Sequence, residues 1–357
     1  MNNTQKAILI NVAKEKFKKF GGEISCIDST YKDLKLFIII QTKIMQTILG
    51  SGGAIGIPLA KELKKYTDKI RLVSRNPKKV NETDELYPID VNDLNQIDQA
   101  IAGSEVVYVV IGFEYKLSVW QKIWPPFMEA VIHACKKHNA KLVFFDNVYM
   151  YDKSAIPHMT ETSAIQASSR KGEVRQQLHE MIMKEVENKT LTALIARSAD
   201  FYGPDNRSSA LNLMVVDNFM KGKKAQAFGN IDKIHSYTFT PDAAKATAIL
   251  GNTIDAYNQV WHVPTTKEKL TNRQWIQLIA NELKVEAKIQ TVPVWLLKIL
   301  GLFIPIMREF PEMNYQYEQD YFFDSTKFEN KFGMTATAPK DGIRILIESI
   351  KAQNAGS

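Results

Sequence analysis

The chain has 357 residues, 45% of them hydrophobic and 24% charged, with a formal charge of +7. Such a composition is globular and excludes a disordered, collagen-like or coiled-coil protein. Cys26 and Cys135 are the only cysteines, which excludes a disulfide framework and makes the reducing cytoplasm the expected compartment. Residues 1–44 hold eight Lys and four acids, a net of +4, and the rest carries only +3, so the main body does not read as a nucleic-acid binder.

In chain order, residues 4–20 set Ile8, Val12, Phe17 and Phe20 at helical spacing, and Gly21-Gly22 ends the helix. This stretch is similar to the first helix of tetracycline-repressor-type DNA-binding domains, over one helix and its turn. No second turn and recognition helix follows. Residues 1–44 therefore read as an N-terminal extension, with the fold beginning at Met45. The apolar segments 36–40 and 295–306 are both shorter than the ~20 residues a membrane helix needs, so no membrane partner is expected. Segment 295–306 reads as core or lobe packing, with an interfacial patch as the alternative.

From Met45 strands and helices alternate. Strands are expected at 46–49, 70–74, 86–89, 106–111, 141–145 and 191–196, and helices at 57–65, from 92, at 127–138 and at 172–187. The continuous apolar run 106–111 suits a strand buried on both faces. Beyond the turn Phe201-Tyr202-Gly203-Pro204 the pattern loosens, ending in an amphipathic helix over 341–351. The fold class is α/β, a Rossmann-type doubly wound parallel sheet over 45–350. A smaller substrate lobe is expected mainly in 203–340, and a tail over 351–357.

Gly50-Ser51-Gly52-Gly53-Ala54-Ile55-Gly56 joins the first strand to the first helix. Glycines here allow a tight turn, let a pyrophosphate reach the backbone, and start the helix close to the strand so that its amides face the anion. The second strand ends Ser74-Arg75 with no carboxylate. An acid there holds a ribose 2′-OH and an Arg a 2′-phosphate, so the expected cofactor is NADP, with NAD as the alternative. Asp90 and Val91 after the third strand, and Ile111 and Gly112 after the fourth, complete the expected cofactor contacts.

The segments 47–56, 106–113, 142–153, 196–204, 235–246 and 323–328 resemble the extended short-chain dehydrogenase/reductase superfamily, of the NAD-dependent epimerase/dehydratase type, over about 45–350. That resemblance implies a Ser or Thr after the fifth strand and a Tyr-x-x-x-Lys pair on the next helix. Here the first position is Asn147, and the pair falls on Lys171 and Arg175. The pattern is that of an atypical subgroup lacking the usual pair.

Lys171 is the expected proton carrier if burial and Arg175 tune it. Asn147 and Tyr149 would orient a substrate carbonyl. Tyr149 or Tyr151 could instead bring in a phenol, and Lys171 and Arg175 could be a solvated helix start. Phe113, Tyr151, Tyr202 and His235 follow strands on the ligand-facing edge and are expected to line the substrate pocket. Residues 307–309 could close it. His133, Cys135 and His138 do not share a helix face, so no metal is expected. These residues point to an NADP(H)-dependent oxidoreductase or epimerase-like enzyme acting on a carbonyl or alcohol of a small molecule. The alternatives are a catalytically weak NADP-binding sensor and a sugar-nucleotide epimerase. The superfamily resemblance also implies a homodimer through a two-helix face.

Overall fold

The computed structural model describes residues 44–355 except 205, 207, 208 and 304; residues 1–43, with the expected N-terminal helix, lie outside the described residues. The strands are β1 (Met45–Leu49), β2 (Lys69–Ser74), β3 (Glu85–Pro88), β4 (Val106–Val109), β5 (Lys141–Asp146), β6 (Ala193–Arg197), β7 (Asp200–Tyr202), β8 (Ala225–Phe228), β9 (Tyr237–Phe239), β10 (Val260–His262) and β11 (Ile289–Val292). Seven of them form one parallel sheet in the order β10-β6-β5-β4-β1-β2-β3. The chain runs outward from β1 through β2 to β3 and then returns to β4 on the other side of β1. The β1/β4 boundary is thus the topological switch point, where such sheets open a crevice beyond their strand ends.

Period-two alternation builds a core on each face of the sheet. Leu49, Val107, Val109, Leu142, Phe144 and Ile195 face α2 (Leu94–Ile101), α3 (Leu117–His138) and α4 (Arg170–Glu187). Ile48, Leu72, Tyr108, Val143, Leu194 and Ala196 face α1 (Gly56–Leu63) and α5 (Thr240–Gly251). α5 comes so close to β4 that a Cβ on Gly251 would sit 2.3 Å from the Tyr108 hydroxyl oxygen.

The smaller lobe combines the parallel pairs β8–β11 and β7–β9 with α6 (Asn272–Leu283), α7 (Val294–Leu300) and α9 (Pro339–Ala355), the short α8 (Thr326–Phe332) lying before α9. Tyr202, Val216, Phe239, Trp275, Ile279 and Leu346 fill its core. A capping box at Thr271 and Gln274 fixes the start of α6.

Four expectations change. α3 starts ten residues before 127, because Trp120 and Trp124 are buried on the stripe that Phe127 and Met128 continue, and this burial outweighs Pro125 and Pro126 inside the helix. Within the span 203–340, where the lobe is mainly expected, α5 and β10 return to the sheet, and α9 adds to the lobe from beyond it. The expected tail is helical through Ala355. Segment 295–306 is not a packed core piece: Leu297 is buried, but Trp295, Ile299, Leu302 and Phe303 are exposed.

Candidate active site

At the switch point the Gly loop is built by close approach. Gly50 has φ +100°, and a Cβ there would lie 2.5 Å from the Ile111 Cα. Gly56 lets α1 start against the loop, since its Cβ would fall 2.4 Å from the Gly50 carbonyl oxygen. These two glycines serve the protein's own packing. Gly52 and Gly112 differ: both are exposed, and an added Cβ on either meets no protein atom within 4 Å. Ser51 is buried with its hydroxyl unpartnered among the described residues. An open, glycine-lined crevice with an unanswered hydroxyl beside a helix start fits a dinucleotide. Ser74 is half-buried at the end of β2 and Arg75 is exposed next to it. Hydrogen bonds from Asn92, and more weakly the charge of Arg75, hold the Asp90 carboxyl below its ordinary range.

Beyond β5 the backbone turns at Asn147, whose side-chain oxygen accepts from the Tyr149 amide at 3.0 Å. This leaves the side-chain amide of Asn147 as the group it can present. The Tyr149 ring stacks at 6.2 Å on Trp120, and the Tyr115 hydroxyl donates toward the Tyr149 hydroxyl across 3.5 Å. Burial pushes both phenols well above their usual pKa. Gly172 in the first turn of α4 fixes this loop, because a Cβ there would lie 2.3 Å from the Tyr149 carbonyl oxygen.

Lys171 and Arg175 sit one turn apart on α4, and both are buried, not solvated. The Lys171 ammonium lies over the Tyr115 ring at 4.7 Å, 2.5 Å from Glu309 Oε2 and 2.6 Å from Glu312 Oε1, and donates to the Glu309 carbonyl at 3.2 Å. Two hydrogen bonds, to Glu312 Oε1 and the Glu309 carbonyl, and the ion pair with the Glu309 carboxylate thus surround the ammonium. The two glutamates also accept from the first amides of two helices: Leu117 of α3 donates to Glu309 at 3.0 Å, and Arg170 of α4 to Glu312 at 3.2 Å. Segment 309–312 is thereby clasped onto the sheet domain over the strand ends. Of the expected closing residues 307–309, Glu309 takes part, whereas Arg308 turns to the carbonyls of Gly301 and Leu302. The Arg175 guanidinium lies 4.6 Å and 4.2 Å over the rings of Trp120 and Trp124, and 3.4 Å from Asp146. Burial raises the Asp146 carboxyl against the pull of Arg175 and Arg197.

A second cluster centres on Asp200 at the start of β7. Its Oδ2 is 2.9 Å from His235 Nε2 and accepts from the Tyr317 hydroxyl at 3.1 Å. The His235 ring is stacked between Tyr317 and Tyr321 at 4.9 Å and 4.3 Å. The fold therefore gathers Asn147, Tyr149, Lys171 and Arg175, and brings His235 to the lobe side. Tyr151 is fully buried, its hydroxyl 2.7 Å from His262 Nε2 and its ring under Arg197. Tyr202 lies in the lobe core against Phe239 and Trp275. Phe113 backs the wall by packing on Trp124 and Phe127. Sequence reasoning missed Glu312 and Tyr317. A Glu-x-x-Glu spacing is their only signal, and nothing in it names a lysine so far away in the chain. Among the described residues no group of His, Cys, Asp or Glu is arranged to hold a metal, and no helix is long and apolar enough to cross a membrane.

The sequence model of the NAD dependent epimerase/dehydratase family matches residues 47–263. The chain belongs to that family. The match takes in the Gly loop, the Asn147 turn, Lys171 and Arg175. Solved structures share the fold at low identity. The dTDP-glucose 4,6-dehydratase DesIV of Streptomyces venezuelae, solved with NAD, aligns with TM-score 0.71 at 14% identity, covering 88% of this chain and 98% of that one. The UDP-glucose 4-epimerase of Thermotoga maritima, solved with UDP-glucose, aligns with TM-score 0.71 at 15% identity, covering 87% and 100%. The UDP-N-acetylglucosamine 4-epimerase of Methanobrevibacter ruminantium gives 0.70 at 14%, covering 87% and 99%. No curated protein matches the chain.

Proposed function

We propose that this protein is an NADP(H)-dependent oxidoreductase that reduces a carbonyl carbon of a small molecule. Gly50 to Gly56, with Ile111 and Gly112, would hold the pyrophosphate side, Asp90 and Val91 the adenine, and Ser74 and Arg75 the 2′-phosphate. Bound there, the dinucleotide supplies a hydride to the carbonyl carbon. The chain's part is to place the carbonyl and to give its oxygen a proton.

The observation that carries this reading is the pair of phenols, Tyr149 and Tyr115, beside the Asn147 turn at the end of β5. The Asn147 amide donates to the carbonyl oxygen, and the Tyr149 hydroxyl transfers its proton there as the hydride arrives. The Tyr115 hydroxyl then passes a proton to the Tyr149 oxygen, and solvent reprotonates Tyr115. Lys171 is not cast as the proton carrier, because it is buried and ion-paired with both Glu309 and Glu312. It and Arg175 hold the walls on which the phenols stand.

The decisive experiment pairs titration of the full chain with NADPH and NADH against turnover of a carbonyl panel. NADPH should bind more tightly, and Arg75→Ala should remove about tenfold of that preference while leaving NADH unchanged. Tyr149→Phe should lower kcat about 10²–10⁴-fold with NADPH binding intact, whereas Lys171→Met made together with Glu309→Gln and Glu312→Gln, so that no buried carboxylate loses its cation, should retain turnover. Loss of turnover in that folded triple variant with Tyr149→Phe active would return the proton role to Lys171. The second reading, a catalytically weak NADP sensor, is favoured by the burial of the Lys171 ammonium in ion pairs with Glu309 and Glu312. NADPH binding with no carbonyl consumed would establish it.

A further inference from the structure

Segment 295–306 carries the densest run of exposed apolar side chains among the described residues. In α7 and the turn after it, Trp295 is 63% exposed, Ile299 48%, Leu302 68% and Phe303 79%. Gly301 keeps a helical backbone, so the spacing i, i+4, i+7 and i+8 puts all four on one stripe. The other side is anchored. Leu297 is buried, and its carbonyl accepts from the Gly301 amide at 2.8 Å. The Arg308 guanidinium closes the turn by donating to the carbonyls of Gly301 and Leu302, and a Cβ on Gly301 would lie 2.9 Å from Arg308 Cγ. The turn is thus held from inside while its apolar stripe faces outward.

Three occupants could cover this stripe: a second copy, the N-terminal extension, or a lipid surface. Charge separates them. From Lys288 to Arg308 the chain carries Lys288, Lys298 and Arg308 and no acid. The glutamates on either side are answered, Glu286 by Lys288 at 2.9 Å and Glu309 by Lys171 at 2.5 Å. β11, which leads into α7, follows the exposed Lys284 and Lys288. Its partner β8 follows the exposed Lys221, Lys223 and Lys224, against Glu282 and Glu286 in the same stretches. A second copy would set this basic surround against itself, and the extension, with its net +4, is repelled likewise. An anionic surface is attracted. A protruding stripe of Trp, Phe, Leu and Ile also suits the boundary between headgroups and acyl chains, where Trp is favoured and apolar side chains bury a few ångströms.

We infer that Trp295, Ile299, Leu302 and Phe303 seat this protein on an anionic lipid surface. The contact is with the surface alone, since α7 has only seven residues and no described helix is long and apolar enough to cross a membrane. The inference does not depend on the oxidoreductase reading.

The full-length chain contains its own probe. Of its five tryptophans, Trp120, Trp124, Trp261 and Trp275 are buried and Trp295 is exposed. Vesicles of phosphatidylcholine with about 30% phosphatidylglycerol should shift the tryptophan emission to the blue, and brominated acyl chains should quench the shifted component. Flotation should recover the chain with these vesicles, and at least about tenfold less of it with phosphatidylcholine alone. Trp295→Ser/Leu302→Ser/Phe303→Ser should lower partitioning at least about tenfold with the melting temperature unchanged, as expected at exposed positions. No flotation of the unmodified chain overturns the inference. So does flotation undiminished in the triple variant, which would assign lipid binding to the basic extension. A dimer of the unmodified chain that is lost in the triple variant, with no flotation, gives the stripe to a second copy and overturns it as well. Should the triple variant melt early, quenching in the unmodified chain decides, and a Trp295 untouched by brominated lipid overturns the inference.

Discussion

Tyr149 is a phenol whose surroundings keep its proton on. Burial raises it, and Tyr115 and Asp200 nearby raise it further. A group raised in this way stays protonated through and beyond the ordinary tyrosine pKa of about 10. It is an acid suited to reduction and a poor base for oxidation. A profile of reductive kcat against pH should therefore show no basic limb below about pH 10, while the reverse oxidation should rise toward that limit. A basic limb near pH 8 would argue against Tyr149. Two histidines, His262 buried and His179 half-buried, set the acid side of stability. His262 donates to the Asp324 carbonyl from Nδ1 and accepts from Tyr151 at Nε2, and His179 faces Arg197. Burial, with Arg197 adding to it, depresses both from 6.5 to about 3. The unfolded chain takes up these protons below about pH 6.5 and the folded chain does not, so stability falls as pH drops from about 6.5 toward 3. Urea denaturation should show a loss of order a few kcal/mol across that window, and His262→Gln should flatten the upper part of it.

At the scale of elements, the Gly loop and α1 form one joint. Because the Gly56 Cβ would press on backbone and not on a yielding side chain, Gly56→Ala should move the helix start away from the strand. We expect NADPH affinity to drop by tenfold or more, with the melting temperature lowered by several degrees; unchanged affinity would separate this glycine from the cofactor site. The same joint shows what a sequence can and cannot reveal. The strand, glycines and helix are contiguous, so spacing alone marked the loop that we propose holds the cofactor. α3 was mis-started because Pro125-Pro126 is a local signal for a helix boundary, whereas Trp120 and Trp124 are held by the sheet and by Arg175, which are distant in sequence. Tyr151 and Tyr202 fell on the correct strand ends but turn into the cores, since strand position does not say which way a side chain after the strand points.

For the whole molecule, the sheet domain is more legible than the lobe. Its strands carry continuous apolar runs at regular intervals, whereas the lobe is assembled from short pieces whose partners lie on both sides of α5 and β10. The lobe and the segments around it meet the sheet domain at many places, Phe323 on His262 and Thr337 on Asp242 among them, and the clasp at Glu309 and Glu312 crosses the candidate site. Hydrogen exchange should find residues 309–316 protected in the unmodified chain, and at least about tenfold faster in Glu309→Gln/Glu312→Gln if the clasp governs opening of the lobe. Equal exchange rates would make the clasp incidental.

That clasp also constrains what residue 171 can become. A tyrosine there, which the superfamily resemblance implies for this position, would leave Glu309 and Glu312 at two helix starts without the cation between them, a cost of order 3–5 kcal/mol for a broken buried pair. Lys171→Tyr alone should therefore fold poorly, and adding Glu309→Gln and Glu312→Gln should rescue it. The three positions would then be exchangeable only as a set.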